Sequence, residues 1–148
     1  RTNPMNYIIV TDLTFWEDKK DLRPRVLPVQ IPDTADIVPG ISDLFYVAST
    51  DTLLMILSSE LTANAYDDGT IGNSYIGWIT SFAKKIQDPT LTVDQLINLG
   101  VIHSDLRNQK IEGICVESVQ KDTLVLHVVS DNDQGETGLF KLGMNTKP

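Results

Sequence analysis

The sequence has little of what several common protein classes require. It contains one cysteine, Cys115, among 148 residues, so it has neither a disulfide framework nor a thiolate zinc cluster. No apolar run approaches the ~20 residues of a membrane-spanning helix, and no membrane span is expected. Basic residues are also few: 12 Lys and Arg against 20 Asp and Glu give a net charge of −8. This balance argues against nucleic acid as the main partner, because such binding needs cations that neutralise phosphates.

Recognisable catalytic motifs are missing as well. There is no Gly-x-Ser-x-Gly elbow, Walker loop or dinucleotide fingerprint. Of the two histidines, His127 falls inside an apolar strand pattern, where a structural role is expected. His103 stands beside Ser104 and Asp105 in a polar loop, but proximity in sequence does not establish a triad. No catalytic residue is identified, and whether the protein is an enzyme stays open.

Two minor expectations concern Cys115 and the N-terminus. Cys115 lies between Ile114 and Val116, so it is expected to be a small buried hydrophobe. The first residues lack the apolar core of a signal peptide, although a chain that starts at Arg1 is compatible with the removal of one. The cellular location therefore stays open, with an extracytoplasmic one favoured.

What the sequence does contain is an internal repeat. Residues 41–46 correspond to residues 111–116, and residues 52–60 to residues 123–131, about 70 positions later. A third piece, 72–79, returns at 135–142, and a forerunner of it stands at 6–10. Repeats of short apolar runs indicate propeller-type β architecture, because one unit cannot bury its own faces and must stack on its neighbours.

Each unit is predicted to contain a strand hairpin whose second arm, 53–57 or 124–129, is apolar at successive positions. Such an arm is expected to be covered on both faces. Residues 25–31 contain Pro28 and are flanked by Pro24 and Pro32, which suits an edge or outermost strand or an extended surface segment. The stretch 86–102 fits either an outer strand with a loop or a short helix over 94–98, capped by Thr92 and ended by Gly100.

The predicted fold class is therefore all-β, a propeller-type repeat of about two four-stranded blades in one segment spanning residues 1–148. The repeat units are approximately 25–80 and 91–143. The chain begins on the third strand of one unit and ends on the third strand of another, whereas a closed ring needs about four or more blades. The expected partners are the remaining blades or further copies of the chain. A free-standing β-sandwich of two similar halves is the alternative.

A family resemblance agrees with this architecture. Residues 111–114, with Glu-Gly at the start of a strand, followed by 124–129 and the Ser-Asp-rich 130–133, resemble the closing blades of bacterial β-propellers related to the esterase-like phytase group. Residues 58–60 are similar to the matching strand end of the preceding blade, but 42–43 read Ser-Asp where Glu-Gly is expected. The resemblance implies a propeller fold and allows a calcium-assisted phosphoesterase activity.

Acidic residues form the strongest polar pattern. Glu112, Asp131 and Asp133 lie at comparable strand ends of the second copy, with Asp43 and Glu60 in the first. Carboxylates that converge on one opening suit Ca²⁺, which takes six to eight oxygen ligands, so Glu112, Asp131 and Asp133 are the candidate metal ligands. The alternative for residues 131–135 is an ordinary β-turn.

Six residues are candidates for ligand binding, because they lie in loops or at strand ends of the predicted opening: Glu60, Asp67, Asp68, Arg107, Lys110 and Glu112. Asp67 and Asp68 belong to an insertion at 61–71 that the second copy lacks, although an Asp-Gly step also marks a tight turn. Arg107 and Lys110 would supply cations for a substrate phosphate; an ordinary solvated loop is the alternative.

The leading functional hypothesis is a binding segment of a propeller that takes a small-molecule or protein ligand, with calcium as its only candidate cofactor and no catalytic machinery of its own. A phytase-like phosphoric ester hydrolase that uses the same opening is the alternative. In that reaction the cation would polarise a phosphoryl oxygen and orient water.

Overall fold

A computed structural model describes residues 6–11, 24–32, 39–61, 69–131 and 135–145. Ten strands account for most of this length, and the only helical elements in it are four short segments. The strands are β1 (Asn6–Val10), β2 (Arg25–Gln30), β3 (Gly40–Val47), β4 (Thr52–Leu61), β5 (Thr70–Thr80), β6 (Leu91–Thr92), β7 (Gln95–Asn98), β8 (Ile111–Gln120), β9 (Thr123–Asp131) and β10 (Thr137–Asn145). The helical segments are α1 (Phe82–Lys85), α2 (Leu99–Ile102) and 3₁₀ turns at Ala48–Thr50 and Ser104–Leu106. The predicted all-β class is confirmed.

The strands form three sheets. Sheet A has the order β1-β2-β6, sheet B the order β3-β4-β5-β7, and sheet C the order β10-β9-β8. All pairs in sheets B and C are antiparallel, whereas β2 pairs with β6 in parallel. Sheet B is thus a four-stranded meander, the arrangement expected for one complete blade, and sheet C contains three strands in the same order. The described residues do not form a closed ring.

Sheet B lies between the other two sheets, and strand β4 shows this most clearly. Leu53, Met55 and Leu57 belong to a core cluster shared with sheet A. Leu54 and Ile56 belong to a second cluster shared with sheet C. The five side chains are all buried, so the predicted cover on both faces is confirmed for this strand. Burial of an aliphatic side chain contributes about 1.5–3 kcal/mol, which makes β4 a main source of stability.

The same prediction is wrong for β9. Leu124, Leu126 and Val128 face sheet B and are buried, but the alternate positions face outward and Val129 is exposed. The reason is that no described residue forms a further sheet on that side. His127 lies in this outward row, half-buried, and pairs in register with Cys115 and Lys141 of the neighbouring strands.

Three further expectations are corrected or decided. Cys115 is exposed rather than buried, because its side chain lies on the outward face of sheet C. Strand β2 is not outermost, since it lies between β1 and β6; Pro28 is tolerated because β6 pairs only with Val29 and Gln30. The stretch 91–102 contains the outer strand β7 and then α2, so the strand alternative holds for residues 95–98.

Polar side chains connect the sheets at one end of the stack. The amide of Asn6 links sheet A to sheet B, because its Nδ2 donates to the Pro39 carbonyl at 3.0 Å and its Oδ1 accepts from the Ile41 amide at 2.9 Å. Between sheets B and C, Ser74 Oγ accepts from the Ile111 amide at 3.1 Å and donates to the Gln109 carbonyl at 2.7 Å. These bonds place the start of β8 against β5.

Two further bonds strengthen the connection between sheets B and C. Ser58 Oγ donates to the Ile111 carbonyl at 2.6 Å, and Asp43 Oδ2 accepts from the Ile114 amide at 2.8 Å. Asp43 is one of the acidic strand-end positions singled out in the sequence. Its carboxylate serves to position β8, which is a structural role.

Candidate functional site

The structure brings three of the predicted ligand-binding residues together. Lys110 Nζ lies 3.5 Å from Glu60 Oε2 and 3.3 Å from Glu112 Oε1. Glu60 Oε1 also accepts a hydrogen bond from the Gly69 amide at 2.6 Å. Lys110 precedes β8, and its carbonyl accepts from the Asp131 amide at 3.0 Å, so the pairing of β8 with β9 fixes the backbone from which the lysine projects.

The chemistry of this cluster is that of one ammonium between two carboxylates. The lysine side chain is only 21% exposed, and the carboxylates of Glu60 and Glu112 lie beside it. Negative neighbours oppose a phosphate at Lys110, and the positive charge opposes a cation at Glu112. The cluster therefore holds the end of β4 close to the start of β8.

Arg107 and Asp131, the other predicted residues that the structure describes, have further contacts. Arg107 Nε donates to the Gly100 carbonyl at 3.0 Å and so braces the segment around α2. Asp131 closes β9, opposite Thr137 of β10. Asp67, Asp68 and Asp133 lie outside the described residues.

Within the described ranges, no three His, Cys, Asp or Glu side chains come together in a way that would hold a metal ion. The candidate calcium ligands Glu112, Asp131 and Asp133 include one residue outside those ranges. The calcium site and the phosphoesterase activity that depends on it stay predictions.

The two histidines have structural contacts. His103 Nδ1 accepts from the Asp105 amide at 3.3 Å and caps the second 3₁₀ turn. His127 Nε2 lies 2.7 Å from Glu117 Oε2, and Lys141 Nζ lies 2.7 Å from the same oxygen. The ammonium of Lys141, and then His127, hold the pKa of Glu117 below its ordinary value. A charged ladder of Glu117, His127 and Lys141 therefore crosses the outward face of sheet C.

Sequence reasoning missed a groove along β10. One cavity of about 660 Å³ lies between sheet B, the segment α2 with the following 3₁₀ turn, and β10. A second cavity of about 550 Å³ adjoins it and shares Ile97, Met144 and Asn145 with the first. Apolar side chains dominate the first cavity: Ile76, Ile97, Leu99, Ile102, Leu106, Leu126, Leu139, Phe140, Leu142 and Met144.

A signal for this groove was available in the sequence. The repeat predicts a fourth strand for each blade, and no described residue forms one beside β10. The groove lies at that place, between β7 of sheet B and the outer edge of β10. Its depth could not be foreseen, because α2 and the 3₁₀ turn that wall it are formed by residues 99–106, where the sequence pattern was ambiguous.

Comparison with known proteins adds a family but no activity. No helix in the described residues is long and apolar enough to cross a membrane. No curated protein matches the sequence, and no solved structure matches it either. The model of one family, described as a family of unknown function, matches residues 1–135, and the chain therefore belongs to the family DUF6910.

Proposed function

We propose that this chain is a protein-binding segment of a propeller-type assembly, and that further copies of the chain stack their sheets on its end faces. The observation that carries the proposal is the outward face of sheet A. Tyr7, Ile9 and Val26 are 52%, 68% and 55% exposed there, although each lies within a regular strand.

The pairing of β1 with β2 makes these residues one patch. Ile9 pairs with Val26 and Tyr7 pairs with Pro28, so four apolar side chains occupy two adjacent rows of the outward face. The opposite face of the same strands, with Ile8 and Leu27, is buried against sheet B. A three-layer stack that is apolar on its outer layer is typical of repeat proteins at a position that receives another repeat.

Sheet C supplies a complementary surface. Its outward row Val129–Leu139 is apolar, with Leu139 69% exposed, and lies beside the charged ladder of Glu117, His127 and Lys141. A second copy that places its sheet C on sheet A would repeat the contact that already joins sheets A, B and C. The net charge of −8 opposes such contacts between copies at low ionic strength.

The test is the mass of the full chain in solution by light scattering over a range of protein and salt concentrations. We expect assemblies larger than one chain that grow as salt screens the repulsion. Ile9→Lys should return the protein to a single-chain mass, because it places a charge in the patch. Val101→Lys is the matched control: Val101 is also exposed, in α2, and the substitution changes the net charge equally.

Two results would contradict the proposal. The first is a wild-type protein of 16.4 kDa at every protein and salt concentration. The second is an assembly that Ile9→Lys and Val101→Lys weaken to the same extent, since that would place the contact outside sheet A.

A further inference from the structure

We propose that the groove beside β10 binds an extended peptide strand, which adds to the edge of sheet C and runs antiparallel to β10. This site is separate from the stacking faces of sheets A and C, because it uses the edge of a sheet and the space between two sheets. Strand addition of this kind takes its affinity from main-chain hydrogen bonds and its specificity from pockets for alternate side chains.

The first argument compares the two meanders. In sheet B, the third strand β5 has β4 on one side and β7 on the other, with Tyr75 to Trp78 paired to Asn98 to Gln95. In sheet C, the third strand β10 has β9 on one side, and it pairs with no other strand among the described residues. The edge of β10 that corresponds to the β7 side of β5 is therefore open to strand pairing.

The second argument is the floor of the groove. Phe140, Leu142 and Met144 of β10 face sheet B and are only partly buried, although they pack against the core between the sheets. Ile97 of β7 faces the same gap. A strand that pairs with β10 and packs on β7 would reduce the exposure of these side chains. In sheet B, β7 has the equivalent position beside β5.

The third argument is size and chemistry. The larger cavity alone measures about 660 Å³, and β7, which fills the corresponding place in sheet B, has four residues. The wall opposite β10 is apolar at Ile102 and polar at His103 and Asp105. The expected occupant is a short extended segment whose alternate residues are apolar and point into the gap between the sheets, with polar residues between them.

The chain itself provides a probe of this chemistry, because residues 91–98 form the outer strand of sheet B and the residues that lead into it. A synthetic peptide of this sequence, labelled with fluorescein at its N-terminus, would be titrated with the full chain and followed by fluorescence anisotropy. We expect saturable binding. Amide hydrogen exchange should slow over β10 when the peptide is bound. The amides at the open edge of β10 then donate hydrogen bonds to the peptide.

Two substitutions test the location. Ile102 is 53% exposed and lines the groove, so Ile102→Asp should weaken peptide binding roughly tenfold or more without disturbing the core. Val101→Asp is the matched control, because the neighbouring side chain is 79% exposed and does not line the groove.

A peptide that carries proline in place of the residue corresponding to Ile97 tests strand formation, since proline cannot donate to a ladder. It should bind much more weakly than the parent peptide. The proposal is overturned if the parent peptide shows no saturable binding, if Ile102→Asp and Val101→Asp weaken binding equally, or if the exchange of β10 amides does not change.

Discussion

Strands β4 and β9 occupy the same place in successive repeats, yet β4 is covered on both faces and β9 on one. Ile56 of β4 pairs with Ile76, and both are buried against sheet C. The matching row of β9 contains His127 paired with Lys141, and it carries the charged ladder. One repeat pattern therefore builds two kinds of sheet, an internal one and an outer one.

The largest expected effect comes from these equivalent positions. Ile56→Ala should lower the free energy of unfolding by about 2–5 kcal/mol, because it leaves a cavity in the core between sheets B and C. His127→Ala should change it by no more than about 0.5 kcal/mol. Equilibrium unfolding in urea at low protein concentration measures both. Comparable losses would mean that the outward face of sheet C is covered in solution.

The polar connection between the two sheets gives the next effect. Ser74 is buried, and its removal leaves the Ile111 amide and the Gln109 carbonyl without their partner. Ser74→Ala should cost about 1–3 kcal/mol of unfolding free energy. Ser118→Ala is the control, since the hydroxyl of Ser118 accepts a hydrogen bond from Gln120 Nε2 on the exposed side of sheet C. Equal losses of unfolding free energy in the two variants would contradict the role of Ser74 in connecting the sheets.

Asp94 helps to attach β7, the fourth strand of sheet B, which has no counterpart in the described part of sheet C. Asp94 Oδ2 accepts from the Thr80 amide and hydroxyl at 2.7 Å, and Oδ1 pairs with Lys85, which connects the turn before β7 to the end of β5. Burial raises the pKa of Asp94, but the bonds from Lys85 and Thr80 outweigh it and hold the pKa below the ordinary 3.8. Asp94→Asn should cost about 1–2 kcal/mol at neutral pH.

The pH dependence of that loss follows from the direction of the shift. A carboxyl with a lowered pKa in the folded state stabilises the fold above its unfolded pKa, and this contribution disappears as the pH falls through the folded value. The difference between the wild type and Asp94→Asn in urea unfolding should therefore shrink in acid. Asp105→Asn, at an exposed carboxyl, is the control and should change the free energy of unfolding at neutral pH by no more than about 0.5 kcal/mol. A gap that stays constant down to the lowest accessible pH would contradict the role of Asp94.

The smallest effect is expected on the outward face of sheet C. Glu117→Gln removes an exposed carboxylate shared by Lys141 and His127, and surface ion pairs contribute little. The urea midpoint should fall slightly in low salt and return to the wild-type value in high salt, because salt screens exposed charges. Because the pKa of Glu117 is lowered, this contribution is present above the unfolded pKa and is lost in acid. A large, salt-independent loss would mean that the ladder is buried by a partner.

The sequence predicts the internal sheet better than the outer one for a physical reason. Successive apolar residues in β4 reflect two real cores, so the pattern and the structure agree. The run of β9 is interrupted at His127, but the meaning of that histidine depends on Glu117 and Lys141. Glu117 reaches it where the register of β8 shifts between Val116 and Ser118, and such an irregularity is not visible in residue periodicity.

The candidate site could also be predicted only in part: the convergence of the acids was expected, but their shared lysine was not. Strand-end acids were expected to converge, and Glu60 and Glu112 do share one partner. That partner is Lys110, a residue predicted to bind a ligand but not to pair with these two acids. Which loop lysine projects between two carboxylates depends on how β8 pairs with β9 and packs beside β4, and a single sequence carries no direct record of that packing.

The parallel pairing of β2 with β6 has a consequence for the order in which the molecule folds. Sheet C and the hairpins of sheet B join strands that are neighbours along the chain, whereas Gln30 and Thr92 meet across 62 positions. Closing so long a loop costs more entropy than forming a hairpin, and slow folding accompanies contacts between distant residues. We therefore expect sheet A to be completed last, when β6 joins the pair of β1 and β2 on a template that sheet B has already formed.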